Sequence, residues 1–78
     1  MEHKNLNLIM TNEEAKFAWK RGIPVIYRGI RYDEISALIY RADRQSRAAY
    51  ISVELLDKRS RCVVVALPKD VEKAETDM

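Results

Sequence analysis

Between residues 34 and 67 the chain alternates between apolar and polar positions through three successive segments. If residues 43–47 form a loop, the segments beside it pair as antiparallel strands, with apolar residues facing each other at every second position. A two-residue turn at Lys58-Arg59 carries the same alternation into the third segment. The pattern therefore predicts strands near residues 34–42, 48–57 and 61–67. Their shared buried face is expected to contain Ile35, Ala37, Ile39, Ile51, Val53, Leu55, Val64 and Ala66.

The first of these segments also fits an amphipathic helix. Its apolar residues at helical spacing are Ile35, Leu38, Ile39 and Ala42. A helix would leave the agreement among the three segments unexplained, so we expect a strand.

A short helix is predicted over residues 12–21. Thr11 and Glu14 have the spacing of a capping box, in which each residue binds the backbone of the other. Gly22 suits the position just past a helix, and Pro24 prevents continuation. The face expected to meet the core consists of Ala15, Ala18 and Trp19, with Trp19 as its anchor.

Residues 24–28 predict a further short strand, and residues 68–71 predict a single helical turn before a polar tail that can add a closing strand. The sum is a mainly β domain with one N-terminal helix, and a meander of this length suggests a small SH3-like barrel. The alternative is an open α+β antiparallel sheet with the helix packed on one face. We expect a flexible arm at 1–10, a single small domain at 11–73 and a disordered tail at 74–78.

Size and composition favour a small cytoplasmic protein. The chain has 78 residues, which is one domain at most. Its longest apolar run, residues 62–67, is far shorter than the ~20 residues that cross a bilayer. The N-terminus lacks the basic start and apolar stretch of a secretory signal. A single cysteine excludes an internal disulfide framework.

Catalytic chemistry is not expected. His3 is the only histidine and lies in the predicted arm, and Cys62 falls on the predicted core face, where a thiol is normally inert. Two glycines do not make a phosphate-binding loop, and no cluster of cysteine and histidine offers metal ligands. We therefore predict a non-enzymatic protein with no cofactor, no metal and no small-molecule substrate.

The face opposite the predicted core is too apolar for a plain solvated surface. In the proposed register Tyr40 and Tyr50 form a cross-strand pair on that face. Aromatic residues are enriched where proteins meet, so this face predicts a protein partner or self-association. The candidate partner-binding residues are Tyr40, Tyr50, Val65 and Leu67.

Basic residues suggest a second candidate, a small nucleic-acid-binding barrel. The net charge is only +2, but every arginine lies between residues 20 and 61. The candidate contacts are Arg41, Arg44, Arg47, Lys58, Arg59 and Arg61. The two loops that carry them are expected about 30 Å apart at opposite ends of one strand, which argues against a continuous phosphate-binding stripe. The protein-interaction hypothesis is therefore favoured, with loop charge serving mainly for solubility.

Three stretches of the chain are EEAKFAWKRGIPVIYRGIRY, ISALIYR and VELLDKRSRCVVVALPKDVE. Over about residues 12–73 they resemble small uncharacterised proteins carried on mobile elements of Gram-positive bacteria. The resemblance implies an SH3-like barrel of unknown function, from which no site residue can be carried over. The chain lacks the acidic aromatic signature of eukaryotic SH3 domains, which argues against polyproline recognition.

Overall fold

A computed structural model describes residues 9–74. In chain order the elements are helix α1 (Asn12–Arg21) and strands β1 (Val25–Tyr27), β2 (Ile30–Tyr32), β3 (Glu34–Ala42), β4 (Ala49–Asp57) and β5 (Cys62–Ala66), then a 3-10 turn (Pro68–Asp70) and β6 (Val71–Lys73). The predicted helix, helical turn and four strands are confirmed, whereas β2 was not predicted. The described residues contain no helix that is long and apolar enough to cross a membrane.

The ends of α1 follow from the sequence. The Thr11 hydroxyl accepts a hydrogen bond from the Glu14 amide at 3.1 Å, and the Glu14 carboxylate accepts one from the Thr11 amide at 3.0 Å. Gly22 ends the helix in the left-handed conformation, with φ 68°. Glu14 also accepts a hydrogen bond from the Lys73 ammonium at 2.7 Å, which ties the start of the helix to β6.

The strands form two three-stranded antiparallel sheets, ordered β2-β1-β6 and β3-β4-β5. The predicted mainly β domain with one helix is therefore confirmed, and its strands do not close into a single barrel. Strands β1, β2 and β6 have three residues each, whereas β3 and β4 in the other sheet have nine. A hydrogen bond of 2.9 Å from the Asp33 amide to the Leu56 carbonyl links the sheets where β2 gives way to β3.

A β-bulge at Ser36 changes the register between β3 and β4. Ile35 lies opposite Leu55, as predicted, but Leu38 lies opposite Val53. The extra residue reverses the two faces of the remainder of β3, because side chains alternate along a strand.

The reversal corrects part of the predicted core. Ala37 and Ile39 are only half-buried and lie outside the core cluster, whereas Leu38 packs against it. The Ser36 hydroxyl stabilises the bulge by donating to the Glu54 carboxylate at 2.8 Å and to the Glu54 carbonyl oxygen at 3.3 Å.

The β4–β5 connection is longer than predicted. Its turn contains four residues, 58–61, so Leu55 lies opposite Val64 and Val53 opposite Ala66. The register is shifted by two residues from the predicted one, and a shift of two leaves every side chain on its expected face.

The core lies between the helix and the two sheets. Its buried apolar residues are Met10, Ala15, Ala18, Val25, Tyr32, Ile35, Val53, Leu55, Ala66 and Val71. The helix contributes only its two alanines, and Trp19 is 41% exposed, so the prediction that Trp19 anchors the helix is wrong.

Met10 provides a large buried side chain beside the helix instead. It is 5% exposed, and its amide donates to the Val71 carbonyl at 3.1 Å. Ile9 forms an isolated bridge with Glu72. The end of the predicted arm is therefore attached to β6, while its first eight residues and residues 75–78 of the predicted tail lie outside the described residues.

Candidate functional site

An open groove of about 720 Å³ lies where one end of the β3-β4-β5 sheet meets the 3-10 turn. We call it the tyrosine groove. Its lining consists of Asn12, Tyr27, Arg41, Tyr50, Ile51, Ser52, Val65, Ala66, Leu67, Pro68, Lys69 and Asp70. A volume of this size is within the range of binding sites for small molecules and short peptide segments.

Three parts of the fold bring the lining residues together. Tyr50 and Arg41 are a cross-strand pair near the end of the β3–β4 hairpin. Leu67 follows β5 and leads into the 3-10 turn, where buried Pro68 begins the return of the chain to β6. Because β6 pairs with β1, the turn lies near Tyr27, the last residue of β1. The two tyrosines thus line the same groove from different sheets.

The groove carries polar side chains that have no hydrogen-bond or ion-pair partner in the described part of the chain. Ser52 is 4% exposed, and its hydroxyl makes no hydrogen bond to another of the described residues. Between residues 9 and 74, neither Arg41 nor Lys69 forms an ion pair. The hydroxyl of this largely buried residue and two cations without an ion pair among residues 9–74 leave hydrogen-bonding capacity for a bound segment.

A strained arginine lies next to the groove. Arg28 has φ 53° and Gly29 has φ 79°, which makes them the central residues of the two-residue turn between β1 and β2. Asparagine commonly occupies the first of these positions, because a left-handed conformation is costly for most side chains. The Arg28 guanidinium lies over the Tyr27 ring at 5.3 Å from its centroid, so the unusual residue adds a cation beside the groove.

Tyr50, Val65 and Leu67 of the predicted partner-binding set line the tyrosine groove. Tyr40 does not. It lies opposite Ile51, whereas Tyr50 lies opposite Arg41, so the two tyrosines are on opposite faces of the sheet. The predicted cross-strand tyrosine pair is therefore wrong, and the cause is the bulge at the start of β3.

Tyr40 belongs to a different surface, beside the helix. It is 68% exposed and borders a shallow depression that it shares with Trp19, Leu38 and other residues. A role for Tyr40 in partner binding stays a prediction, at a site separate from the groove.

The basic loops lie at opposite ends of the nine-residue strand β4. Arg44 and Arg47 are exposed in the β3–β4 loop, and Arg41 reaches the groove from β3. Lys58, Arg59 and Arg61 form the other loop. The second loop is partly neutralised, because the ammonium of Lys58 lies 3.9 Å from Glu34 and its amide donates to Asp33 at 2.7 Å. The six basic candidates are thus divided between two ends of the molecule.

The two loops share a construction that the sequence prediction missed. Residues 43–47 read Asp-Arg-Gln-Ser-Arg, and residues 57–61 read Asp-Lys-Arg-Ser-Arg. In each loop the aspartate carboxylate accepts a backbone amide two residues later and the serine hydroxyl three residues later. In each, the final arginine has φ above 60° and its amide donates to the aspartate carbonyl oxygen. The repeated spacing of aspartate, serine and arginine in the sequence could have predicted that the two loops have the same structure.

These hydrogen bonds favour the ionised aspartates. Amide and hydroxyl donation from Ser46 lowers the pKa of Asp43, and the hydroxyl of Ser60 is the main cause that lowers the pKa of Asp57. The pKa of Glu14 is lowered as well, chiefly by the hydrogen bond that its carboxylate accepts from Lys73. All three shifts have structural causes, so they do not indicate a catalytic group.

Cys62 and His3 are the two candidates for a reactive side chain that the sequence offers. Cys62 is exposed, so the prediction of a buried thiol is wrong. The two-residue register shift places Cys62 opposite Asp57, at the end of the ladder rather than in the middle of the core. His3 lies outside the described residues. Within residues 9–74, no three acidic, cysteine or histidine side chains gather into a potential metal site.

The groove also contains residues that were not predicted as functional. Tyr27 and Pro68 contribute apolar groups to it, and Ser52, Lys69 and Asp70 contribute polar groups. Tyr27 occurs in one of two Tyr-Arg pairs in the sequence, but its place in the groove depends on pairing between β1 and β6, which are separated by over forty residues.

No family model matches this chain, and comparisons with curated proteins and with solved structures give no significant match. The groove is therefore interpreted from its own geometry and chemistry.

Proposed function

We propose that this protein is a non-catalytic interaction module that binds an extended segment of a protein partner in the tyrosine groove. The observation that carries the proposal is the convergence of Tyr27, Tyr50, Leu67 and Pro68 around an open groove, although they come from three separate parts of the chain. A groove of this kind accepts alternate side chains of an extended peptide and leaves the remainder in solvent.

The chemistry of the lining favours a particular kind of partner. Tyrosine and arginine are enriched at protein interfaces, where rings contribute contact area at a low entropic cost. Arg41 and Lys69 outnumber the acidic Asp70, so the groove is complementary to a segment that combines apolar and acidic residues. The Ser52 hydroxyl is placed at the wall to bond a polar group of that segment.

The proposal is tested by selecting peptides from a displayed random library on the intact protein, then measuring each peptide against two matched variants. Tyr50→Ser removes a ring from the groove, and Tyr40→Ser removes a more exposed ring from the other face. We expect apolar and acidic peptides whose affinity falls about tenfold or more with Tyr50→Ser and stays unchanged with Tyr40→Ser. Peptides whose affinity is unchanged by Tyr50→Ser, or a selection that yields no binder, would contradict the proposal.

A single-stranded nucleic acid is the second candidate ligand, because two tyrosine rings and Arg41 occur in the same groove. The distinguishing property is salt dependence, since release of counterions makes phosphate binding fall steeply as salt rises. Fluorescence anisotropy with a labelled oligothymidine at low salt measures it. Binding that is lost with the paired change Arg44→Ala and Arg47→Ala would favour this candidate over the peptide.

The cellular setting is also a proposal. The exposed thiol of Cys62 suits a reducing compartment such as the cytoplasm, where free cysteines persist. We also expect the protein to be related to mobile-element proteins of Gram-positive bacteria. A relationship to SH3-like domains, suggested by the long hairpin and the 3-10 turn, is a further expectation. Detection of a stable free thiol at Cys62 in protein isolated from its host tests the proposal of a reducing compartment.

A further inference from the structure

Strand β5 is an edge of its sheet in the structure of residues 9–74. Among the described residues it pairs with β4 alone, whereas β3, the other edge of the same sheet, is packed against α1. Its sequence, Cys-Val-Val-Val-Ala, contains no charge and no proline. Natural proteins normally protect exposed edges with charges, prolines, bulges or cover, because unpaired backbone groups recruit another strand. This edge has none of those devices within the strand.

The outward side chains of β5 are also apolar and uncovered. Val63 is 52% exposed and Val65 is 48% exposed, while Val64 and Ala66 face the core. Tyr50, 39% exposed, lies on the same side of the sheet as Val65 according to the strand register. The strand thus offers both free backbone groups and an apolar surface beside them.

We infer that β5 pairs with β5 of a second copy of this chain, antiparallel and centred on Val64. The strand is nearly symmetric about that residue, with a valine on each side and a small residue beyond each valine. In this arrangement Val63 of each copy faces Val65 of the other, and the two sheets join into one of six strands. β-Branched side chains in such cross-strand pairs stabilise sheets.

Self-complementarity selects a second copy as the occupant. The nearest charged residue before the strand, Arg61, falls opposite Leu67 of the other copy, so no like charges meet within the pairing. The two-fold arrangement uses the same residues on both copies and closes after two chains, which limits growth beyond a dimer. This inference goes beyond the proposed function, because it uses the backbone edge of β5 and does not require Tyr27 or the 3-10 turn, although Val65 also lines the tyrosine groove.

The test compares two double variants by sedimentation velocity over a roughly hundredfold concentration range. Val63→Lys with Val65→Lys places lysine opposite lysine twice across the interface. Val63→Lys with Val65→Glu places lysine opposite glutamate twice in the same antiparallel register. Both positions are about half exposed, so circular dichroism melts should show that each variant folds. Ile30→Lys, at an exposed apolar position on the other sheet, is the control.

We expect the unmodified protein and Ile30→Lys to form dimers as concentration rises. The lysine–lysine variant is expected to stay monomeric, and the lysine–glutamate variant to dimerise with an affinity that falls as salt increases. A monomeric unmodified protein, a dimer that persists in the lysine–lysine variant, or loss of the dimer in both double variants would each overturn the inference.

Discussion

Three arginines adopt a backbone conformation that usually belongs to glycine or asparagine. Arg28, Arg47 and Arg61 have φ of 53°, 64° and 62°. Two of them end the paired Asp-x-x-Ser-Arg loops, and the third lies beside the tyrosine groove. The loop motif is visible in the sequence, but the left-handed arginines are not, because most arginines avoid that conformation.

Replacing Arg47 by glycine is expected to stabilise the protein. Glycine has no Cβ to clash in the left-handed region, which costs other residues about 1–2 kcal/mol. Part of that gain is offset because glycine makes the unfolded chain more flexible, so we expect a net gain of up to about 1 kcal/mol. Arg44→Gly, in the same loop but without a positive φ, should instead lower stability by about 0.5 kcal/mol. Urea unfolding of both variants measures the difference, and a loss of stability with Arg47→Gly would contradict the assignment.

Acid should weaken the fold through the carboxylates whose pKa values are lowered. Asp43, Asp57 and Glu14 hold their protons less tightly when folded than when unfolded. Their contribution to stability is therefore complete above pH of about 5 and is lost as pH falls through the unfolded and then the folded pKa values. Unfolding free energies measured from pH 7 down to acid should fall below pH of about 4. The paired change Asp43→Asn and Asp57→Asn should flatten that fall, and an unchanged slope would exclude the loop aspartates as its cause.

At the scale of elements, the alternation of apolar residues predicted most of the strands. It did not predict the β-bulge, in which one extra residue interrupts the alternation. The local sequence does not distinguish a bulge at Ser36 from a regular strand, because the hydrogen bond that stabilises the bulge is made to Glu54, a residue distant in the chain. That single residue moved Ala37 and Ile39 out of the core and separated Tyr40 from Tyr50. In contrast, the error in the β4–β5 turn was an even number of residues, so it changed no face.

Two valines in neighbouring strands provide a test of the register. Val53→Asp places a carboxylate in a position with no exposure and no partner, and it should unfold the domain. Val63→Asp makes the same change at a position that is 52% exposed, and the monomer should keep its fold. Thermal melts followed by circular dichroism compare them. Cooperative melting of Val53→Asp near the parent temperature would contradict the register.

The helix shows why a pattern of apolar residues does not identify its anchor. Ala15 and Ala18 are buried because small side chains let the helix backbone approach the sheet, and Trp19 lies on the flank. We predict that Met10→Ala costs about 2–3 kcal/mol, because it removes a large buried side chain. Trp19→Ala should cost less despite its larger size. If urea unfolding showed that Trp19→Ala costs more stability than Met10→Ala, Trp19 would be the anchor of the helix after all.

For the whole molecule, the sequence predicted the helix-plus-strands composition and the separation of the two basic loops, but not the division into two sheets. That division depends on three short strands whose partners are distant in the chain. The groove was predictable only in part for the same reason. Tyr50, Val65 and Leu67 were identified from apolar character, whereas Tyr27 and Pro68 join them through the pairing of β1 with β6.

The central claim is that the tyrosine groove binds an extended peptide, and chemical-shift mapping tests it most directly. The measurement is a titration of isotope-labelled protein with the tightest peptide from the library selection, followed by amide shifts across residues 9–74. The account predicts the largest shifts at Tyr27, Tyr50 and Leu67, and a loss of those shifts in Tyr50→Ser. Shifts concentrated on Tyr40 and the exposed side of α1, with the groove unaffected, would contradict it.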